Sequence, residues 1–303
     1  MQRLGAEARH HLRAGAALAV ALTWLPGALT SAGTATFTDD TGAAITLARP
    51  AGRIVALAPG ATALLFAAGA GQQVIATIEH ADEPAAARAL PRLGDLQAID
   101  LERLVALRPD VVVVTDAITS PLMTARVRSL GMPVYTTRYT RLDEIAPSIA
   151  RLGRLTGTSD TADAAAARLG AELAALRAKY AGRRPIDVLY QVWNRPIYSI
   201  GGSHIVTDAL ALCGARNAFA DQRIAAPSLG IEAVIARNPD VIVVSAPHDI
   251  AVQWAAEWRA YPRLAATASD RVYVFDDQRL DRMGPSAIDA AAALCRLLDA
   301  ARQ

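Results

Sequence analysis

The chain says the same thing twice. Residues 99–114 are echoed by residues 229–244, 130 positions further on. In each copy a Glu (Glu102, Glu232) opens a short amphipathic stretch, a Pro-Asp pair (Pro109-Asp110, Pro239-Asp240) ends it, and a β-branched run follows. That pattern predicts a helix passing into a buried strand. A helix-to-strand unit duplicated at this separation requires two similar α/β lobes in one chain. Two such lobes facing each other make a cleft.

The flanking residues extend the correspondence. Residues 37–47 predict a β-hairpin, with Asp40-Thr41-Gly42 as its turn. A strand over 53–58 stops at Pro59-Gly60, a helix over 61–70 ends near Gly69 and Gly71, and a strand over 73–78 follows. After the first repeat come a helix (121–130), a strand (132–136) and a helix (142–155). Residues 159–180 predict one long helix, capped by Ser159 or Asp160 and interrupted only by Gly170. At 1.5 Å per residue it is roughly 33 Å long, a stiff strut between lobes. A strand at 185–190 then restarts the series, and a helix over 204–212 ends at Cys213-Gly214. The second repeat, residues 261–266, a strand at 271–275 and a helix at 285–302 complete it. The expected fold is α/β: two similar lobes with mainly parallel sheets, one long rigid connecting helix, and a ligand cleft between the lobes. The divisions are 1–35 (leader), 36–156 (N-terminal lobe), 157–182 (linking helix) and 183–303 (C-terminal lobe).

Residues 1–35 read as a secretory signal peptide. Arg3, Arg9 and Arg13 precede an apolar stretch from Ala14 to Leu25, and small residues follow. That stretch is short of the roughly 20 residues a membrane-spanning helix needs; a retained anchor is the alternative. Cleavage falls after Ala32 or Ala35. No Cys lies near either position, which argues against a lipid anchor. Without the leader the chain has 28 basic and 28 acidic residues, so the formal +2 belongs to the leader. No basic footprint for nucleic acid remains.

Export places Cys213 and Cys295, the two cysteines of the chain, in an oxidising compartment where such a pair tends to close into a disulfide. Two unconnected buried thiols are the alternative. There is no C-x-x-C, no Cys/His set at zinc spacing, no H-E-x-x-H and no G-x-S-x-G. Beyond the leader the histidines are His80, His204 and His248. Ser203 adjoins His204, but neighbours in a turn rarely face each other as nucleophile and base. A secreted hydrolase is therefore the weaker reading; no catalytic residue, metal site or cofactor is expected. A P-loop is lacking too, so any energy source sits on another protein.

The order of elements, the rigid central helix and the duplicated Glu-helix-Pro-Asp-strand unit resemble the solute-binding proteins of ATP-driven (ABC) importers for cobalamin, haem and ferric siderophores. The likeness is greatest to the branch that binds cobalamin (vitamin B12). It rests on residues 91–95 (Pro-Arg-Leu-Gly-Asp) followed by 99–103, on 191–198 (Gln-Val-Trp-Asn-Arg-Pro-Ile-Tyr) and on 212–219 (Leu-Cys-Gly-Ala-Arg-Asn-Ala-Phe). The resemblance implies a class III periplasmic-binding-protein-like fold. It implies a periplasmic monomer that carries a corrinoid, as transported ligand and not as cofactor, to a two-fold ABC permease with its ATPase subunits. Glu102 and Glu232 match carboxylates that dock into arginine pockets on the two permease subunits; a charge favouring the helix N-terminus is their plainer role. Cys213 and Cys295 match a disulfide. Tyr198 and Trp193, His80 and Arg282 match the ligand-contacting loops, with Leu96 and Pro59 on the cleft wall and Asp277 at the rim. Leu96 and Ala226 stand where some relatives have Trp. Haem or a ferric siderophore is the alternative ligand: His80 and Tyr198 are candidate iron ligands, and Arg195, Arg279 and Arg282 the cations for an anionic chelate.

Overall fold

A computed structural model describes residues 34–116 and 118–303; the leader reading lies outside them apart from its last two residues. Strands β1 (Ala35–Thr38) and β2 (Ala44–Leu47) form an antiparallel hairpin. Gly42 takes φ +85° at its turn, a conformation that favours glycine. The hairpin is tied down by Asp40, whose buried carboxylate accepts from Arg151 Nε at 2.6 Å and from the Ser148 hydroxyl at 2.5 Å.

Strand β3 (Ile54–Ala56), helix α1 (Pro59–Ala67), strand β4 (Val74–Ala76), helix α2 (Leu101–Ala106), strand β5 (Val111–Thr115), helix α3 (Pro121–Ser129) and strand β6 (Val134–Thr137) follow. They build a four-stranded parallel sheet in the order β4-β3-β5-β6. Helix α4 (Ile145–Thr156) leads into α5 (Ser159–Tyr180). Thr158, not Ser159 or Asp160, holds the N-cap position of α5, and no side chain caps it there.

The second series comprises β7 (Ile186–Trp193), β8 (Ile197–Ser199), α6 (Ile205–Leu212), β9 (Ala215–Asn217), β10 (Ser228–Leu229), α7 (Ile231–Arg237), β11 (Val241–Ser245), α8 (His248–Glu257), α9 (Ala265–Ala268), β12 (Val272–Phe275) and α10 (Ala287–Ala301). Its parallel strands take the order β9-β7-β11-β12, matching β4-β3-β5-β6 strand for strand. The difference is an antiparallel extension, β8 and β10, paired to the far end of β7.

The duplication extends to side-chain environment. Leu104 and Val234 are buried at equivalent places, while Glu102 and Glu232 are exposed. The Pro-Asp pairs have a shared task as well. Asp110 accepts from the backbone N–H groups of Gly52 and Arg53 at 2.8 Å, and Asp240 accepts from that of Asp187 at 2.8 Å. Each carboxylate thus fastens the entry of its own sheet's first strand.

The Val runs are buried on both faces, as in parallel sheets covered by helices on either side. Val111 and Val113 join one core and Val112 and Val114 another; Val241 and Val243 divide from Ile242 and Val244 in the same way. One core is common to both sheets, running through α1, α4, α5, α6 and α10. Within it Cys213 and Cys295 form a disulfide that joins the end of α6 to α10. Hydrophobic burial of this extent, at about 25 cal/mol per Å², makes α5 part of a packed body, not a tether.

Candidate functional site

In open α/β sheets, ligands collect beyond the carboxyl ends of the strands, where the strand order reverses. In the first sheet the reversal falls between β3 and β5, and in the second between β7 and β11. Pro59 lies just beyond β3, and Trp193 is the last residue of β7. The loop after β4 carries His80, and the loop after β12 carries Asp277 and Arg282.

Three of the expected ligand residues converge. Pro59, His80 and Arg282 line one recess together with Asp82, Glu83 and Ser286. It is shared by the carboxyl edges of both sheets. Its floor is closed tightly: a Cβ on Gly60 would collide with the carbonyl oxygens of Met283 and Arg282 and with the Tyr139 hydroxyl. Tyr139 donates to the Met283 carbonyl, and the Ser286 hydroxyl donates to Glu83 Oε2 at 2.7 Å. Farther along the junction, Asp208 accepts from the Leu142 N–H at 2.9 Å and pairs with Arg141 at 3.2 Å.

His80 is exposed, with its backbone in the left-handed region at φ +64°. Among the described residues Arg282 takes part in no ion pair. Arg279 and Arg195, by contrast, are held by Asp277 at 2.6 Å and Glu257 at 3.0 Å. Of the cations considered for an anionic chelate, two are already neutralised.

Trp193 and Tyr198 form a second group. They are register partners across β7 and β8, so their side chains share a sheet face. Trp193 is 56% exposed and Tyr198 half-buried. Leu96 is 38% exposed in a turn where Asp95 Oδ1 accepts from the N–H groups of Gln97 and Ala98. Ala226, also exposed, precedes β10.

Within the loop after β12, Asp281 accepts from the Tyr190 hydroxyl at 3.2 Å and the Ser245 hydroxyl at 2.7 Å. Burial pushes its carboxyl up to about 6, against the lowering effect of those two donors. Sequence reasoning missed it because its partners lie 91 and 36 residues away. His204 has a structural role: its Nδ1 accepts from the Val206 N–H at 3.2 Å and caps α6, and burial lowers its imidazole to about 4.

Glu102 and Glu232 stand at the same end of the fold. Asp100, next to α2, bonds through its N–H to Leu93, in the segment that runs beside the carboxyl end of β4. The start of α7 follows β10, which pairs with β8 at the carboxyl end of β7. No group of His, Cys, Asp and Glu arranged for a metal ion occurs among the described residues.

Two parallel sheets that share a recess at their carboxyl edges, around one continuous core, define a solute-binding protein. The chain belongs to the periplasmic binding protein family, whose model matches residues 54–279. It is 33% identical over 255 residues to the vitamin B12-binding protein of Vibrio cholerae serotype O1, covering 84% of this chain and 91% of that one. The crystal structure of the periplasmic vitamin B12 binding protein of Vibrio cholerae matches with a TM-score of 0.78 and 34% identity, over 84% of this chain and 99% of that one. The apo periplasmic heme-binding protein of Roseiflexus sp. RS-1 matches with a TM-score of 0.72 and 27% identity, over 83% and 99%.

Proposed function

We propose that this protein is the periplasmic receptor of an ABC importer, binding cobalamin or a related corrinoid and delivering it to the membrane permease without chemical change. The observation that carries this reading is likeness to vitamin B12-binding relatives at 33–34% identity across both sheets. The heme-binding neighbour stands lower in identity and in TM-score. Large rings bind by burying apolar faces against side chains while a few polar groups fix orientation. Trp193, Tyr198, Pro59 and Leu96 supply apolar surface; Arg282, unpaired within the described residues, and His80 supply polar contacts. Glu102 and Glu232, one per repeat and both exposed, are the docking carboxylates for a two-fold permease. Export leaves the protein in the periplasm as a monomer. Cleavage after Ala32 suits the fold better than cleavage after Ala35, because Ala35 already pairs with Leu47 in the hairpin.

Calorimetric titration of the purified mature protein with cyanocobalamin and with hemin tests the ligand. Submicromolar binding of cyanocobalamin is expected. Saturation by hemin, with no response to cyanocobalamin, would overturn the reading in favour of haem.

A further inference from the structure

Trp254, on α8, carries no mark in the repeat or in the family likeness. Its ring meets Trp193 edge-on, with centroids 5.7 Å apart and planes at 68°. Trp193 nevertheless remains 56% exposed. The contact therefore fixes the plane of the Trp193 ring without covering it. An aromatic face held in place and left in water is ready to receive another flat surface.

The same helix secures the rest of the loop. Glu257 Oε1 accepts from Asn194 Nδ2 at 3.0 Å and pairs with Arg195 at 3.0 Å. Just beyond α8, Trp258 Nε1 donates to Gln191 Oε1 at 2.8 Å. Gln191 Nε2 in turn donates to the Trp193 carbonyl at 3.3 Å and to Asn194 Oδ1 at 3.2 Å. The turn between β7 and β8 is thus pinned by one neighbouring segment on both sides of Trp193. Tyr198 shares the face of Trp193. Close by stands the small Ala226, and the Pro227 carbonyl accepts from the Ser199 N–H at 3.1 Å.

We infer that Trp254 is a specificity-determining residue: with Trp193 it forms an aromatic corner against which the flat face of the solute's macrocycle packs, and α8 positions that corner. This inference rests on the proposed binding of a corrinoid or related ring. Location favours the solute over a protein partner as occupant. Trp193 ends the first strand of the second sheet, the place that Pro59 follows in the first, and Pro59 lines the recess shared by both sheets.

The test is calorimetric titration of wild type, W254A, W254L, W193A and W193A/W254A with cyanocobalamin and with hemin. Folding of each is followed by circular dichroism and thermal melting. For the ring that wild type binds, W254A and W254L should both weaken affinity by about tenfold, equivalent to about 1.4 kcal/mol. The double variant should lose less than the product of the single losses, because the two rings act as a unit. W254L keeps apolar bulk, so it decides the matter if W254A fails to fold. Folded Trp254 variants that bind within about twofold of wild type would overturn the inference while leaving the proposed function standing. If such variants also lost vesicle uptake, the corner would belong to the permease contact instead. A wild type that binds neither ring overturns both.

Discussion

Ser286 donates to Glu83 at 2.7 Å across the floor of the recess, joining the turn before α10 to the loop that follows β4. Together with the Tyr139–Met283 bond and the ties to Asp208, it closes the junction of the two sheets before any solute arrives.

A junction fastened this way, over a common core, resists hinge opening. Small-angle scattering with and without cyanocobalamin should give the same radius of gyration within error. A fall of several ångströms on binding would show that the lobes open widely.

Gly60 has no space for a side chain, since backbone carbonyls and the Tyr139 hydroxyl stand where a Cβ would go. G60A should destabilise the fold by on the order of 1–3 kcal/mol, the usual cost of overpacking. Chemical denaturation checks this; an unchanged midpoint would mean that the loop at Arg282 and Met283 yields freely.

The Cys213–Cys295 bond closes a loop of 82 residues. Replacing both by Ser should cost roughly 2–5 kcal/mol. Wild type in reductant should reproduce the loss, and the double variant should be indifferent to reductant.

Asp281 and His204 impose opposite pH dependences. The folded state holds Asp281 protonated up to about pH 6, above its ordinary range, so its contribution falls as pH rises from about 4 through 6. His204 is held neutral down to about 4, so its contribution falls as pH drops from about 6.5 towards 4. In wild type the two offset each other across this window. D281N should make stability rise more steeply with pH between 4 and 6.5, and H204N should make it fall. Equal slopes in all three proteins would contradict both assignments.

Charge reversal at Glu102 and Glu232 separates docking from folding. Each exposed helix-terminal charge is worth only about 0.3–1 kcal/mol. E102K/E232K should therefore keep ligand affinity and fold, yet abolish uptake into vesicles holding the importer. Loss of ligand binding would instead make these carboxylates structural.

Most of the architecture was legible because it repeats. The β-branched runs after Pro109-Asp110 and Pro239-Asp240 became β5 and β11, and the stretch 159–180, with Gly170 as its one interruption, became α5 to the residue. Local pattern failed where long-range contacts decide. Asp110 and Asp240 read as helix stops, but their carboxylates serve strands more than 50 residues earlier. Helix α8 was missed because its apolar residues do not mark one buried face: Ile250 and Val252 are exposed and Ala251 is buried. Strands β8, β9 and β10, two or three residues each, are defined by pairing with β7 and with one another, not by any periodicity of their own.

The shared core has a consequence for the distance between Glu102 and Glu232. With no soft joint between the two repeats, the pair is a fixed gauge, set once by folding and unaltered by thermal flexing of a linker. Its setting depends on the packing of that core, through α1, α4, α5, α6 and α10. A core substitution that let the two repeats shift against each other would change that span. A partner cut to fit both carboxylates at once would then meet, at best, one of them.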